Sequence, residues 1–365
     1  MHLKKVSLFN FRNHSSTELA LVDGINCFVG DNGSGKTNIL DAIHYLCLTK
    51  SSLNSIDAQS IKHSEDLFSI KGSMINQGDE HELLCALQQG QKKVLKVDKK
   101  EYEKLSHHIG RFPLVLIAPN DSDIIRLSSE VRRKFFDGIL SQIDQKYLQH
   151  LIRYNHFLKQ RNAVLKKLKI GQPIDKDLLE PYNIELIRLS KAVANKRTLF
   201  LQEFVPLFSS HYLNLSEDKE HVTIQYKSKV TNDNFEKIFK DSLSKDIALQ
   251  RTNVGIHRDD FEFLIDEESL KKFGSQGQQK SFLIALKLGQ FDVIKNEKGF
   301  KPLLLLDDIF DKLDDHRISK LIEMVASDHF GQLFITDARP ERSTQLLANI
   351  DKKLSFFTIE NGAVV

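Results

Sequence analysis

Gly30, Gly35, Lys36 and Thr37 stand at the spacing G-x-x-x-x-G-K-[ST] within "FVGDNGSGKTNIL", with no mismatch. The chemistry such a run does well is to hold a polyphosphate. The backbone N–H groups of Gly30, Asp31, Asn32, Gly33, Ser34 and Gly35 would turn toward a β-phosphate, because the glycines let the chain approach closely. Lys36 would reach the β- and γ-phosphates, and the Thr37 hydroxyl would bind Mg²⁺. Far along the chain, Asp307 and Asp308 close the apolar run "PLLLL". In a Walker B arrangement Asp307 holds the Mg²⁺ shell and Asp308 polarises the attacking water. Alone, an apolar run ending in two acids is more often a strand and its turn. Roughly thirty residues earlier, "FGSQGQQKS" places Ser275, Gly277 and Gln278 at the start of an amphipathic helix. The Ser275 hydroxyl and the free N–H groups of a helix start suit a γ-phosphate. An ordinary helix cap uses the same residues.

These groups need a frame. "INCFVG" before the glycine loop reads as a short buried strand, and Ile39, Ile43 and Leu46 after it keep helical spacing. From Met1 to about Ile117 short strand-like segments alternate with turns, as in a small antiparallel sheet. From about Asp121 to Ser210 the pattern is helical. Tyr147, Leu151, Tyr154, Leu158, Leu165 and Leu168 form one apolar stripe. Leu179, Tyr182, Leu186, Leu189, Val193 and Phe200 form another after the break at "IGQPID". Two such stripes predict an antiparallel helical hairpin. From about His221 mixed strands and helices return. Residues 1–120 and 215–365 therefore read as two halves of one nucleotide-binding domain, and 121–214 as a helical insertion.

Composition narrows the partners. A net charge of +3 on 365 residues does not by itself announce nucleic acid. Locally the picture differs. Lys146, Arg153, Lys159, Arg161, Lys166, Lys167 and Lys169 occur with no acid among them, the footprint of phosphate binding or of a solvated helix face. Cys27, Cys47 and Cys85 lack metal spacing and suit buried thiols in a reducing compartment. No signal-type start or membrane-length apolar run is present, so a soluble cytoplasmic protein is expected.

Taken in order, the glycine loop, "SQGQ" and "LLLLDD" resemble the ABC-type ATPases of the SMC class. "DKLDDHR" resembles their D-loop. With "FRNHSS", "RRKFFD", "FLKQRNAVL" and "GIHRDD", essentially the whole chain resembles the RecF family of bacterial recombination proteins. The short insertion supports that choice, since SMC relatives carry far longer coiled coils. The resemblance implies an α/β ABC-type P-loop ATPase head, a mixed sheet plus an antiparallel β subdomain, with an inserted helical hairpin. It also implies ATP and Mg²⁺ as cofactors and a homodimer that forms with ATP. In that dimer Ser275 of one subunit and Lys36 of another close on the γ-phosphate, and slow, DNA-stimulated hydrolysis reopens it. The implied partners are DNA at gaps or single-/double-strand junctions, RecR and RecO, and indirectly the recombinase RecA. Arg153, Lys159, Arg161, Lys166 and Lys167 are the candidate DNA contacts, or Arg153 and Arg161 pair with acids of the protein instead. Arg12 is a candidate phosphate contact or an ordinary surface arginine.

The sequence departs from the family pattern in places. Ile256 stands for the usual proline before His257, and Gly274 and Gln276 for a leucine and a glycine of the signature. No Q-loop glutamine or switch histidine is evident, with Thr336 or Asp337 in the switch region. An SMC-like chromosome-structure ATPase and a transporter-type ATPase share the nucleotide motifs. A small-molecule kinase would share only the glycine loop.

Overall fold

The computed structural model describes residues 1–168, 176–216, 220–311 and 314–365. The predicted hairpin break at 170–175, Lys169 and part of the D-loop-like run lie outside them. In chain order the strands are β1 (His2–Phe11), β2 (His14–Ala20), β3 (Ile25–Val29), β4 (Leu67–Asn76), β5 (Asp79–Gln88), β6 (Val94–Val97), β7 (Lys100–Glu101), β8 (Leu114–Ile117), β9 (Val222–Lys227), β10 (Asp260–Ile265), β11 (Glu268–Ser269), β12 (Leu303–Leu306), β13 (Leu333–Asp337), β14 (Leu354–Glu360) and β15 (Ala363–Val364). The longer helices are α1 (Lys36–Leu48), α2 (Ser129–Ile143), α3 (Gln145–Lys167), α4 (Glu180–Leu215), α5 (Gln276–Lys298), α6 (Asp315–Ala326) and α7 (Pro340–Leu347).

The chain divides into two compact units. The first comprises Met1–Asp121, Asn214–Glu217 and Lys280–Val365. It contains an antiparallel sheet in the order β2-β1-β4-β5-β6-β7 and a mixed sheet in the order β15-β14-β3-β13-β12-β8. Strand β3 pairs in parallel with β13 on one side and β14 on the other, and β12 lies parallel between β13 and β8. "INCFV" and "LLLL" are buried at every position, as befits central parallel strands covered on both faces. The antiparallel strands alternate instead. Phe68, Ile70 and Met74 of β4 point inward, while Lys71 points out. Helix α1 packs against strands of both sheets, so 10 of its 13 residues are buried, Lys36, Asp41 and His44 among them. Phe11, Tyr45 and Phe68 meet edge to face there, with ring centroids 5.3–6.1 Å apart.

The second unit comprises Ser122–Leu213 and Asp218–Gln279. Side-chain contacts run from Tyr147–Arg197 through Arg153–Glu185 to Arg161–Asn183, descending one helix as they ascend the other. Helices α3 and α4 are thus an antiparallel hairpin. Asp144 starts α3 by accepting from the Tyr147 N–H. The sequence division placed residues 215 onward with the second ATPase half, whereas the segment to Gln279 clusters with the helices. The reason is aromatic packing: Phe261 of β10 stacks on Phe136 of α2 at 4.2 Å, with Phe263 at 6.3 Å. Among the described residues no helix is long and apolar enough to cross a membrane.

Candidate functional site

In the first unit the carboxyl ends of β3, β12 and β13 carry the loop and the acids, the usual place for a ligand in a parallel sheet. The Gly30–Gly35 loop runs from β3 into α1 with Gly30 at φ 144° and Gly35 at φ 118°. A Cβ at Gly30 would lie 2.3 Å from the Ile359 carbonyl oxygen, so both conformation and space demand glycine. The loop is held from outside. Asn13 Nδ2 and the Gly362 N–H both donate to the Ser34 carbonyl, at 3.0 and 2.7 Å. His14 Nε2 donates to the Gly35 carbonyl at 3.1 Å. Lys36 is 4 % exposed, and its Nζ donates to the carbonyls of Gly30 and Asp31 at 2.7 and 2.8 Å.

Thr37 joins the two halves of the site. Its hydroxyl donates to Asp307 Oδ1 at 2.8 Å, bringing together residues 270 positions apart. Thr336 donates to the same oxygen at 2.8 Å and accepts from the Asp308 N–H at 2.9 Å. Burial pushes the Asp307 carboxyl above its ordinary range, opposed by hydrogen bonds from Thr336 and Thr37 and by the charge of Lys36. A hydroxyl and a carboxylate oxygen side by side are hard donors that fit Mg²⁺. Asp308 has φ 44°, the left-handed region that aspartate tolerates better than most residues. The loop after β8 (118–121) stands at this sheet end too, since the Asp307 N–H donates to the Ile117 carbonyl. It contains no glutamine.

Arg12 is engaged elsewhere. Nε donates to Asp41 at 2.9 Å and Nη2 to Ser51 at 2.8 Å, so its fork anchors α1 to the turn that follows it. Sequence reasoning singled out Arg12 and passed over its neighbours Asn13 and His14, which grip the loop. The Asn361-Gly362 pair signals a hairpin turn, but nothing local ties it to residue 34.

Ser275, Gly277 and Gln278 lie in the second unit. The Gln278 N–H donates to Ser275 Oγ at 3.2 Å and the Ser275 N–H to Gln278 Oε1, a reciprocal capping box that starts α5. Ser275 is exposed. The departure at Gly274 has a steric cause: a Cβ there would meet the Leu270 carbonyl oxygen and Cδ1 at 2.7 Å.

The basic arm splits in two. Lys159, Lys166 and Lys167 are exposed, and so is Arg153, which donates to Glu185 at 3.1 Å. Arg161 must be corrected. It is 1 % exposed and bonded to Asp246 at 2.7 Å, Thr252 at 2.8 Å and Asn183 at 2.8 Å, so it is a buried structural ion pair and not a DNA contact. "GIHRDD" is structural in the same sense. His257 lies between the Tyr154 hydroxyl (2.6 Å) and the Thr252 carbonyl (3.0 Å), and burial lowers its pKa to about 4. Asp259 accepts from Arg197, Ser228 and Tyr226, and Asp260 from Arg132.

Comparison with known proteins agrees with this geometry. Residues 2–363 match the model of the RecF/RecN/SMC N-terminal domain. The chain is 50% identical over 364 residues to the DNA replication and repair protein RecF of Cytophaga hutchinsonii, covering 100% of this chain and 96% of that one. A solved structure of the recombination mediator protein RecF with ATP, in the RecFOR pathway, superposes with a TM-score of 0.87 at 29% identity, covering 100% and 98%. The Smc head domain of Pyrococcus furiosus gives a TM-score of 0.57 at 16% identity, covering 100% and 95%, a likeness of fold alone.

Proposed function

This chain belongs to the RecF family within the RecF/RecN/SMC class, and on that premise we propose that it is an ATP-dependent DNA clamp of recombinational repair. Lys36 neutralises the β- and γ-phosphates of ATP from one side. Ser275 of a second copy, at the start of α5, brings a hydroxyl and a helix dipole to the other. A triphosphate held by both binds the closed dimer far better than either monomer, so nucleotide state sets the dimer population. Mg²⁺, held by Thr37 and Asp307, would offset phosphate charge. Asp308 polarises the attacking water, and hydrolysis releases the clamp.

The exposed Lys159, Lys166 and Lys167, with Arg153, are the proposed contacts to DNA phosphates. Gapped duplex is the proposed substrate, RecR and RecO the partners, and loading of RecA the outcome, in the cytoplasm. The observation that supports the reading best is the Thr37–Asp307 hydrogen bond, which joins the phosphate loop to the acidic strand end. Light scattering of the full chain with and without ATP and gapped DNA tests it. The expected result is a dimer that needs ATP and is lost in Ser275→Arg, while that variant still binds ATP. A protein that stays monomeric with ATP and gapped DNA would sink the proposal.

A further inference from the structure

The last two residues of β13 have opposite fates. Asp337 is consumed within its own neighbourhood: it accepts from the Ser343 hydroxyl, the Arg342 guanidinium and the Arg339 N–H, and so starts α7. Thr336, pointing to the other face of the strand, is bonded to both Walker B residues. Its one hydroxyl hydrogen goes to Asp307 Oδ1, and a lone pair accepts the Asp308 N–H. Because the Thr37 hydroxyl ends on that same Asp307 oxygen, Thr336 is one hydrogen bond from the metal-side carboxylate and one from the backbone of the carboxylate proposed to polarise water. The Asp308 backbone is in the left-handed region, so its peptide orientation needs such an anchor.

From this geometry we infer that Thr336 is the positioning residue of the hydrolysis step. It fixes Asp308 against Asp307 without being needed to hold the nucleotide. The inference rests on the ATPase reading above and names the residue that takes the place of a switch histidine. Thr336→Val keeps the shape and removes both hydrogen bonds, while Thr336→Ser keeps the hydroxyl. In the full-length protein, Thr336→Val should bind ATP within about threefold of wild type by direct titration and lose roughly ten- to a hundredfold in single-turnover hydrolysis. Its ATP-bound dimer should persist longer by a similar factor. Thr336→Ser should recover most of the rate. Because Thr336 acts through Asp308, adding Thr336→Val to Asp308→Asn should change the residual rate by less than about threefold.

Equal impairment of the Val and Ser variants with a lowered melting temperature would reduce Thr336 to a packing residue. A multiplied loss in the Asp308→Asn background would overturn the route through Asp308, and so would wild-type hydrolysis by Thr336→Val. A wild-type protein that hydrolyses ATP without dimerising would count against the clamp and the dimer-lifetime prediction and leave the hydrolysis comparisons standing, whereas a wild type that hydrolyses no ATP would overturn the ATPase reading on which the inference rests.

Discussion

Lys36 in the first unit and Arg161 in the second are both buried cations, at 4 % and 1 % exposure. Their partners differ in kind. Arg161 faces the carboxylate of Asp246, itself fully buried, and the amide and hydroxyl of Asn183 and Thr252 complete the site. That cation is neutralised where it stands. Lys36 is hydrogen-bonded to two backbone carbonyls and has no carboxylate within ion-pair distance among the described residues. The two carbonyl dipoles satisfy two of its three donors without cancelling its charge, so the surplus remains for an anion. The lesson is that burial of a cation does not say whether it holds the fold together or serves a ligand. The charge of its partner does.

The sharpest way to break this contrast is Arg161→Leu. Leaving Asp246 buried without its partner should cost about 3–5 kcal/mol, lowering the melting temperature by roughly 6–20 °C. DNA affinity below that temperature should be unchanged, and Asp246→Leu added to it should restore much of the loss. Weaker DNA binding at an unaltered melting temperature would return Arg161 to the DNA surface. Lys36→Met should do the reverse. Titration should show nucleotide affinity down tenfold or more, about 1.4 kcal/mol upward, with little change in melting without nucleotide. An effect of similar size comes from pH. His44 and His108 in the first unit have pKa values pushed down by burial to about 4. The unfolded chain binds protons below about 6.5 while the folded chain does not, so stability is complete above pH 6.5 and falls as pH drops toward 4. By pH 5.5 each should contribute about 1.4 kcal/mol less, readable as a lower urea midpoint. No shift in the midpoint between pH 7.5 and 5.5 would mean that these rings are not buried neutral. Replacing Lys159, Lys166 and Lys167 with Gln should flatten the dependence of log K on log salt for duplex DNA, by about 0.9 per lost contact. An unchanged slope would place the DNA contacts elsewhere.

Much of the site was legible because its signals are local. The loop, the strand before it and the helix after it lie within residues 25–48, and "PLLLLDD" announces its strand and its acids together. What the spacing left open is decided by pairing between distant segments. Thr336 reaches Asp307 because β13 lies between β3 and β12, and no spacing rule connects them. Arg161 looked like part of a basic face because Asp246 stands 85 residues away. The hairpin was readable from its two apolar stripes. The cohesion of the segment to Gln279 with it was not, since it depends on Phe136 meeting Phe261.

The clasp on the phosphate loop has a consequence for biosynthesis. Gly362 donates to Ser34 and accepts from Thr17, a residue 345 positions earlier. Both strands that flank β3 also come from late in the chain. During synthesis the loop therefore waits roughly 16–66 s, at about 5–20 residues per second, between its own synthesis and that of the residues that shape it. A nascent or prematurely terminated chain ending before β14 would display the complete G-x-x-x-x-G-K-T run without its neighbouring strand or its clasp. Released chains truncated at graded lengths, titrated with ATP, would show whether nucleotide capture waits for β14 and the Gly362 clasp.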